Sequence, residues 1–236
     1  MAKHIGIVAC SAEGAALCYR TFCNEAGQLM GKYDHPEVSM HTHSLAEYIT
    51  AADAGDWPQV AKLMLDSAAK LAQAGVELLI CPDNTIHQAM GIVEKGSPLP
   101  WLHIAREVVA EAKRRGLRRL AIMGTMHLMT GPVYREAAEA EDIETAAPDQ
   151  RDRDEIDRII FDELVNGMIK SESRTFFNSV MQRMKDRGCD GAVLGCTEIP
   201  LIVDPAEAPF PTLDSTRILA RAAIRQATQQ WLGGRR

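Results

Sequence analysis

The stretch Leu79-Ile-Cys-Pro-Asp-Asn-Thr-Ile-His87 reads as a short apolar strand that stops at a cysteine and continues into polar residues. A second stretch, Val193-Leu-Gly-Cys-Thr-Glu-Ile-Pro200, has the same plan. The two cysteines, Cys81 and Cys196, lie 196 − 81 = 115 positions apart. Each half of the chain therefore offers one cysteine at the end of one predicted strand.

Two further pairs of segments repeat at nearly the same distance. The 115-residue shift lays Ile5-Gly-Ile-Val-Ala-Cys10 on Leu120-Ala-Ile-Met-Gly-Thr125, strand for strand. A shift of 111 lays Pro98-Leu-Pro-Trp-Leu102 on Pro209-Phe-Pro-Thr-Leu213. The sequence therefore predicts a chain built from two similar halves.

Short apolar runs alternate with amphipathic stretches along both halves. Residues 4–9 read as a strand buried on both faces, whereas residues 58–74 carry apolar side chains at helical spacing. This alternation is typical of an α/β fold with parallel sheets. We predict two similar α/β domains related by a pseudo-twofold axis, residues 1–102 plus 215–236 and residues 103–214. The segment 124–132 is predicted as a loop.

The composition restricts the class of partner. The chain has 236 residues, 46% of them hydrophobic, and a net charge of −6, which is ordinary for a soluble globular protein. It lacks a Lys/Arg-rich run and an apolar run of membrane-spanning length, so nucleic acid and membranes are not expected partners. The N-terminus does not resemble a signal peptide, which predicts a cytoplasmic location and reduced cysteines.

The candidate site lies at the carboxyl ends of the predicted strands, where open α/β sheets bind ligands. Cys10, Cys81, Thr125 and Cys196 all fall at such ends, which predicts a site at the interface of the halves. Cys81 and Cys196 are also expected where a strand passes into a helix, whose N-terminal dipole favours a thiolate. Pro82 suits the first position of such a helix.

Two cysteines on opposite walls of one site would act on opposite faces of one carbon. One thiolate removes a proton, the other thiol delivers one, and the carbon is inverted. The sequence offers no lysine motif for pyridoxal phosphate and no phosphate loop, and Gly6-x₇-Gly14 does not match a dinucleotide fingerprint. We therefore expect a small-molecule substrate, no cofactor and no metal. The alternative is that both cysteines are merely small buried side chains.

The chain resembles the aspartate/glutamate racemase family, the cofactor-independent amino-acid racemases. The resemblance rests on Cys81-Pro-Asp-Asn-Thr85 with His87, Gly195-Cys-Thr-Glu198, Gly124-Thr125 with Thr130 and Tyr134, and Glu163-Leu-Val-Asn-Gly-Met-Ile-Lys170. It implies two α/β domains with the active site between them, often in a homodimer.

The resemblance also implies roles for individual side chains. It makes Cys81 and Cys196 the catalytic acid/bases. It implies that four polar side chains hold the α-carboxylate and amino group of the substrate, namely Asn84, Thr85, Thr125 and Thr197. Lys170 matches a family position near the substrate, and its alternative role is that of an exposed lysine at a helix end.

Two segments depart from the family pattern. Where members often carry a Gly-Gly-Met-Gly-Pro-type turn, this chain has Ala9-Cys-Ser-Ala-Glu-Gly14, in which Ser11 could offer a hydroxyl to the substrate. Where many members have an arginine for a side-chain carboxylate, this chain has Met40-His-Thr-His-Ser44. Alternation along a strand predicts that His41 and His43 point to opposite faces, with His43 reaching the site. A metal site built from these histidines and the early cysteines fits no recognised zinc spacing.

Three functions are compatible with these residues. The first is a cofactor-independent amino-acid racemase, of the aspartate/glutamate type or with a broader substrate range, that uses a two-base cysteine mechanism. The second is another reaction on the same scaffold, either maleate-type cis–trans isomerisation or hydantoin racemisation. The third is a small-molecule-binding protein without catalysis.

Overall fold

The computed structural model describes residues 1–233. The chain divides into two compact units, one of Met1–Ile104 together with the chain from Thr216 onward, and one of Ala105–Ser215. Each unit contains a four-stranded parallel sheet covered by helices. The predicted α/β fold with two similar domains is therefore confirmed.

The elements alternate along the chain as the sequence predicts. The strands are β1 (Ile5–Ala9), β2 (Val38–Thr42), β3 (Leu78–Ile80), β4 (Trp101–Leu102), β5 (Arg119–Met123), β6 (Glu144–Ala146), β7 (Gly191–Leu194) and β8 (Thr212–Asp214). The α-helices are α1 (Ala12–Met30), α2 (Leu45–Asp53), α3 (Trp57–Gln73), α4 (Met90–Gly96), α5 (Ile104–Arg114), α6 (Met126–Thr130), α7 (Val133–Glu139), α8 (Gln150–Asp162), α9 (Ser171–Asp186), α10 (Ile199–Ile202) and α11 (Ser215–Gly233). Short 3-10 helices lie at Thr85–Ala89 and Leu164–Asn166.

Two of these helices, α2 and α6, are not among the predicted elements. The predicted loop 124–132 contains α6, which has only five residues and is too short for an apolar periodicity to be read. The sequence does carry a signal for α2, because Ser44 and Glu47 form a capping box at its start. The helix expected after Cys196 is present as the four-residue helix α10, which begins at Ile199.

In the first unit, apolar side chains cover both faces of the sheet. All five residues of β1 are buried, as expected for the centre of a parallel sheet. Phe22 of α1 and Leu219 of α11 pack in the cluster on one face, and Tyr48 of α2 and Met64 of α3 pack in the cluster on the other. The polar residues that follow the strands are therefore held at the edge of a rigid core.

The two sheets have the same strand order, β2-β1-β3-β4 in the first unit and β6-β5-β7-β8 in the second. Their registers define which residues are equivalent. Ile5 and Leu120, which the 115-residue repeat superposes, pair with Leu78 and Gly191, which lie 191 − 78 = 113 positions apart. The offset between β3 and β7 is therefore 113, not 115.

The outer strands give the same offset independently. Trp101 and Thr212, which the 111-residue repeat superposes, pair with Leu79 and Ala192, which lie 192 − 79 = 113 positions apart. The predicted match between the two cysteines is therefore wrong by two residues. Side-chain spacing in the sequence suggested that match, whereas backbone hydrogen bonds define the true one.

Candidate active site

Cys81 directly follows β3 and is completely buried, with 0% of its surface exposed. It belongs to the apolar cluster that also contains Cys10 and Tyr48. Burial raises the pKa of the Cys81 thiol well above its usual range, and the negative charge of nearby Asp83 raises this pKa further. The thiolate is the form of cysteine that accepts a proton. Because the surroundings of Cys81 disfavour its thiolate, they also disfavour the role of proton acceptor that the sequence predicts for this residue.

The segment after Cys81 does not turn directly into an α-helix. The first helical residue is Thr85, in the 3-10 helix Thr85–Ala89, and α4 begins only at Met90. The expectation that Pro82 occupies the first helical position is therefore wrong. The loop of residues 81–84 instead carries two polar side chains of the candidate site, Asp83 and Asn84.

Asp83 lies in this loop and is half-buried. Its Oδ1 accepts a hydrogen bond of 3.2 Å from the backbone N–H of Ile86. Its carbonyl oxygen lies 2.6 Å from Nδ1 of His87, whose Nε2 accepts the backbone N–H of Ile104 at 3.3 Å. These two partners assign His87 the neutral tautomer with its proton on Nδ1. The buried imidazole thus ties Asp83 to the first residue of α5.

Three predicted substrate-binding residues of the first unit lie at the same edge of its sheet. Ser11 follows β1 and caps α1, where its Oγ accepts the backbone N–H of Gly14 at 3.2 Å. Asn84 is 3% exposed and Thr85 is half-buried, and both follow the neighbouring strand β3. Because the carboxyl ends of adjacent parallel strands meet at one edge, the structure brings these residues together.

His41 and His43 do not point to opposite faces, so that prediction is wrong. Their ring centroids lie 5.0 Å apart, because β2 ends at Thr42 and His43 lies beyond the strand. Nδ1 of His41 is 2.9 Å from Oγ of Ser67, and Nε2 of His43 is 2.8 Å from Oδ2 of Asp66. Both histidines therefore contact α3.

His41, His43 and Asp66 are also the group in the described chain that could hold a metal ion, since their ligand atoms lie within 4.8 Å of one another. Nζ of Lys70, however, lies 2.6 Å from Oδ2 of Asp66. Burial lowers the pKa of His41, and the charges of Lys70 and His43 lower it further. A divalent cation would have to displace the Lys70 ammonium, so an ion-paired surface cluster describes this group better.

Cys196 lies two residues beyond β7 and is half-buried. Its Sγ donates a hydrogen bond of 2.9 Å to Oε2 of Glu198. The hydroxyl of Thr197 donates to the same oxygen at 2.7 Å. Thr197 and Glu198 are 7% and 4% exposed. Unlike Cys81, Cys196 therefore combines partial exposure with an acceptor for its proton.

Gly195 determines where Cys196 lies. Its N–H donates to the carbonyl of Met123 at the end of β5, at 2.7 Å. A Cβ on Gly195 would collide with Leu128 and lie 3.1 Å from that carbonyl oxygen, so the backbones approach this closely only with glycine. Thr125 follows β5 and caps α6, accepting the N–H of Leu128 at 3.3 Å. The structure thus brings Thr125 to the sheet edge that carries Cys196 and Thr197.

Lys170 is engaged by a buried carboxylate. Its Nζ lies 3.2 Å from Oε1 of Glu163, which is 2% exposed. Glu163 also accepts hydrogen bonds from Ser173 at 2.6 Å and from Arg158 at 2.9 Å. The Ser173 hydrogen bond, followed by those from Arg158 and Lys170, lowers the pKa of Glu163. This network is not predictable from the sequence, because no periodicity reveals a tertiary ion pair.

The family model described as Asp/Glu/hydantoin racemase matches residues 6–223. The chain belongs to this family. Membership makes the protein an isomerase, which confirms the family and the enzyme class predicted from the sequence.

Individual relatives agree with this assignment. The broad-specificity amino-acid racemase RacX of Bacillus subtilis strain 168 is 20% identical over 205 residues, covering 86% of this chain and 87% of RacX. A Yersinia pestis structure provisionally described as an Asp/Glu racemase is 31% identical, with a TM-score of 0.89 over 96% of this chain and 100% of that one. An aspartate racemase homologue from Pyrococcus horikoshii is 27% identical, with a TM-score of 0.84 over 96% and 99%.

No helix among residues 1–233 combines the length and the apolar character that crossing a membrane requires.

Proposed function

We propose that the protein is a cofactor-independent amino-acid racemase that inverts Cα with two acid/base groups, one following β3 and one following β7. The observation that carries this proposal is the half-buried Cys196 thiol, which donates to the buried Glu198 carboxylate at the end of a parallel strand. Membership of a family of racemases supports it.

The chemistry assigned to β7 is a proton transfer. Glu198 accepts the thiol proton, and the resulting Cys196 thiolate can take a proton from Cα. In the opposite direction the thiol delivers its proton to the carbanion. The polar groups Asn84, Thr85, Thr125 and Thr197 are proposed to hold the α-carboxylate and the amino group, so that Cα is presented in one orientation.

Inversion requires a second acid/base on the opposite face of Cα. The sequence hypothesis gives that role to Cys81, which makes a two-cysteine mechanism. Asp83, two residues further along the same loop, is the other candidate. The two candidates differ in exposure, since Cys81 is completely buried and Asp83 is half-buried.

We propose a substrate range wider than aspartate alone. The position predicted to bind a side-chain carboxylate is His43, and it is engaged by the carboxylate of Asp66 at 2.8 Å. A second carboxylate near this residue would meet a like charge. The broad specificity named for RacX supports the same expectation.

The test is solvent exchange in deuterium oxide, run on a panel of L- and D-amino acids, dicarboxylates and hydantoins. We expect deuterium at Cα of an amino acid together with formation of its enantiomer, and loss of enantiomer formation in Cys196→Ser. Turnover of maleate or a hydantoin without turnover of any amino acid would contradict the proposal, and binding without exchange would indicate a non-catalytic protein.

We also propose, from the sequence alone, that the protein is a homodimer and that it is located in the cytoplasm. Light scattering on the purified protein and fractionation of the source cells test them.

A further inference from the structure

In the first unit, Asp83 occupies the position that Cys196 occupies in the second. The registers of β3 and β7 against both of their neighbours give an offset of 113, and 196 − 113 = 83. Two further hydrogen bonds agree with this offset. The N–H of Leu79 donates to Pro100 at 2.9 Å, and the N–H of Ala192, the residue 113 positions later, donates to Pro211 at 3.0 Å.

The equivalence continues through the loops, beyond the last strand residue. Ile86 lies three residues after Asp83, and Ile199 lies three residues after Cys196. Both isoleucines are buried, at 2% and 0% exposure, and they too lie 199 − 86 = 113 positions apart. The offset is therefore the same before and after the loop, so that Asp83 and Cys196 correspond without an insertion or deletion.

Exposure follows the same correspondence. Cys81 is equivalent to Leu194, the last residue of β7, and the two are 0% and 1% exposed. Asp83 and Cys196 are both half-buried. Cys81 thus occupies a core position directly after β3, whereas Asp83 occupies the position from which a side chain reaches the edge of the sheet.

We infer that Asp83, rather than Cys81, is the acid/base of the first unit, so that the protein inverts Cα with a carboxylate and a thiol. The inference rests on the proposed racemase function and names the second group of its site. The Asp83 carboxylate removes the Cα proton from one face and becomes a carboxylic acid. The electron pair of that C–H bond stays on the substrate as a carbanion. The Cys196 thiol then protonates the opposite face and becomes a thiolate.

The reverse reaction uses the same groups in the opposite order. The thiolate of Cys196 takes the proton of the other enantiomer, and the Asp83 carboxylic acid returns one, which restores the starting state. Protons are conserved in each direction, and no oxidant or reductant takes part.

A purely structural role for Asp83 is the alternative, because its Oδ1 accepts the N–H of Ile86. Asp83→Asn separates the two roles. The amide oxygen of asparagine can still accept this N–H, but the amide cannot take up the Cα proton. A structural role therefore predicts near-normal activity in this variant, whereas a catalytic role predicts its loss.

The experiment measures racemisation in both directions by chiral chromatography for wild type, Asp83→Asn, Asp83→Cys and Cys81→Ala, with the fold checked by circular dichroism. We expect Asp83→Asn to lose about 10²-fold or more in kcat, and Cys81→Ala to stay within threefold of wild type. Asp83→Cys should regain activity with an optimum shifted to higher pH, because an ordinary thiol ionises near pH 8.5 and an ordinary aspartate near 3.9.

Isotope exchange adds a readout that loss of fold cannot imitate. In Asp83→Asn the Cys196 thiolate can still remove and return the proton of the enantiomer that faces it. We expect solvent deuterium to enter that enantiomer alone, without inversion. If Cys81→Ala folds but is inactive while Asp83→Asn remains active, the assignment of Asp83 is overturned. The proposed racemase function would survive that outcome. A wild-type protein that racemises no amino acid would overturn the proposed function as well.

Discussion

The thiol of Cys196 and the carboxylate of Glu198 are directly hydrogen-bonded, with Sγ and Oε2 2.9 Å apart. The hydroxyl of Thr197 donates to the same oxygen. Glu198 is 4% exposed, so these two donors take the place of water around its charge. The Cys196 thiol, which is proposed to exchange a proton with the substrate, therefore has a hydrogen-bond acceptor in Glu198, two residues further along the chain.

Glu198→Gln should lower the racemisation rate by about 10²-fold in both directions, because the amide can accept a hydrogen bond but cannot take the thiol proton. The measurement is kcat for each enantiomer. Glu207→Gln, which changes an exposed carboxylate of the same unit, is the matched control and should behave as wild type. Normal kcat in Glu198→Gln would show that Cys196 passes its proton elsewhere.

Gly195→Ala should destabilise the protein by about 1–3 kcal/mol, because the added Cβ collides with Leu128 in a packed core. Urea unfolding measures the change. Gly91→Ala is the control, since a Cβ at that helical position meets open space. The control should be neutral or more stable by up to about 1 kcal/mol. Equal effects of the two substitutions would contradict the close approach of β5 and the β7 loop.

His87→Ala should cost about 1–3 kcal/mol of unfolding free energy, because it leaves the N–H of Ile104 without this acceptor and the carbonyl of Asp83 without this donor. Hydrogen exchange at the Ile104 amide should become faster. His35→Ala, at an exposed position, should change stability by less than about 0.5 kcal/mol. An unchanged exchange rate at Ile104 would argue against the assigned tautomer.

Glu163→Gln should lower stability at neutral pH by about 1.5–3 kcal/mol, because hydrogen bonds to an ionised group are replaced by weaker ones. The pKa of Glu163 is lowered in the folded protein, chiefly by Ser173 and then by Arg158 and Lys170. The stabilisation is therefore present above the unfolded value of about 4.3 and is lost as pH falls through the lower folded value.

The check on Glu163 is the difference in unfolding free energy between wild type and Glu163→Gln across that range. The difference should be constant from pH 7 to about 5 and should shrink below about 4. A difference that grows on acidification would have the wrong sign for a carboxylate with a lowered pKa.

Much of the fold could be predicted because the strands are short apolar runs that end at polar residues. β3 ends at Ile80, directly before Cys81, where the sequence predicts that the strand stops. The helical spacing read over residues 58–74 matches α3, Trp57–Gln73. The two-unit organisation was predictable from the segments that repeat at shifts of 115 and 111 residues in the sequence. These features depend on local patterns, which a sequence displays directly.

The content of the site was harder to predict, because it depends on which residues the backbone aligns. The repeat distance of 115 suggested that Cys81 and Cys196 hold equivalent positions in the two halves. The hydrogen-bond register of the strands instead makes Asp83 the counterpart of Cys196. The error is two residues, and two residues is the period of a strand, so the apolar pattern gives no warning of it. Similarly, the ion pair of Lys170 with Glu163 joins residues that no local pattern connects.

The offset of 113 makes the two groups of the proposed acid/base pair chemically unlike, one a carboxylate and the other a thiol. At neutral pH an ordinary aspartate is ionised and an ordinary cysteine is protonated. In the proposed pair, residues that ionised at these ordinary values would place a base, Asp83, in one half and an acid, Cys196, in the other. Such an enzyme is ready for one enantiomer and must exchange a proton before it takes a second molecule of the same hand. Exchanging the two residues would leave every strand unchanged and would reverse which enantiomer is received first.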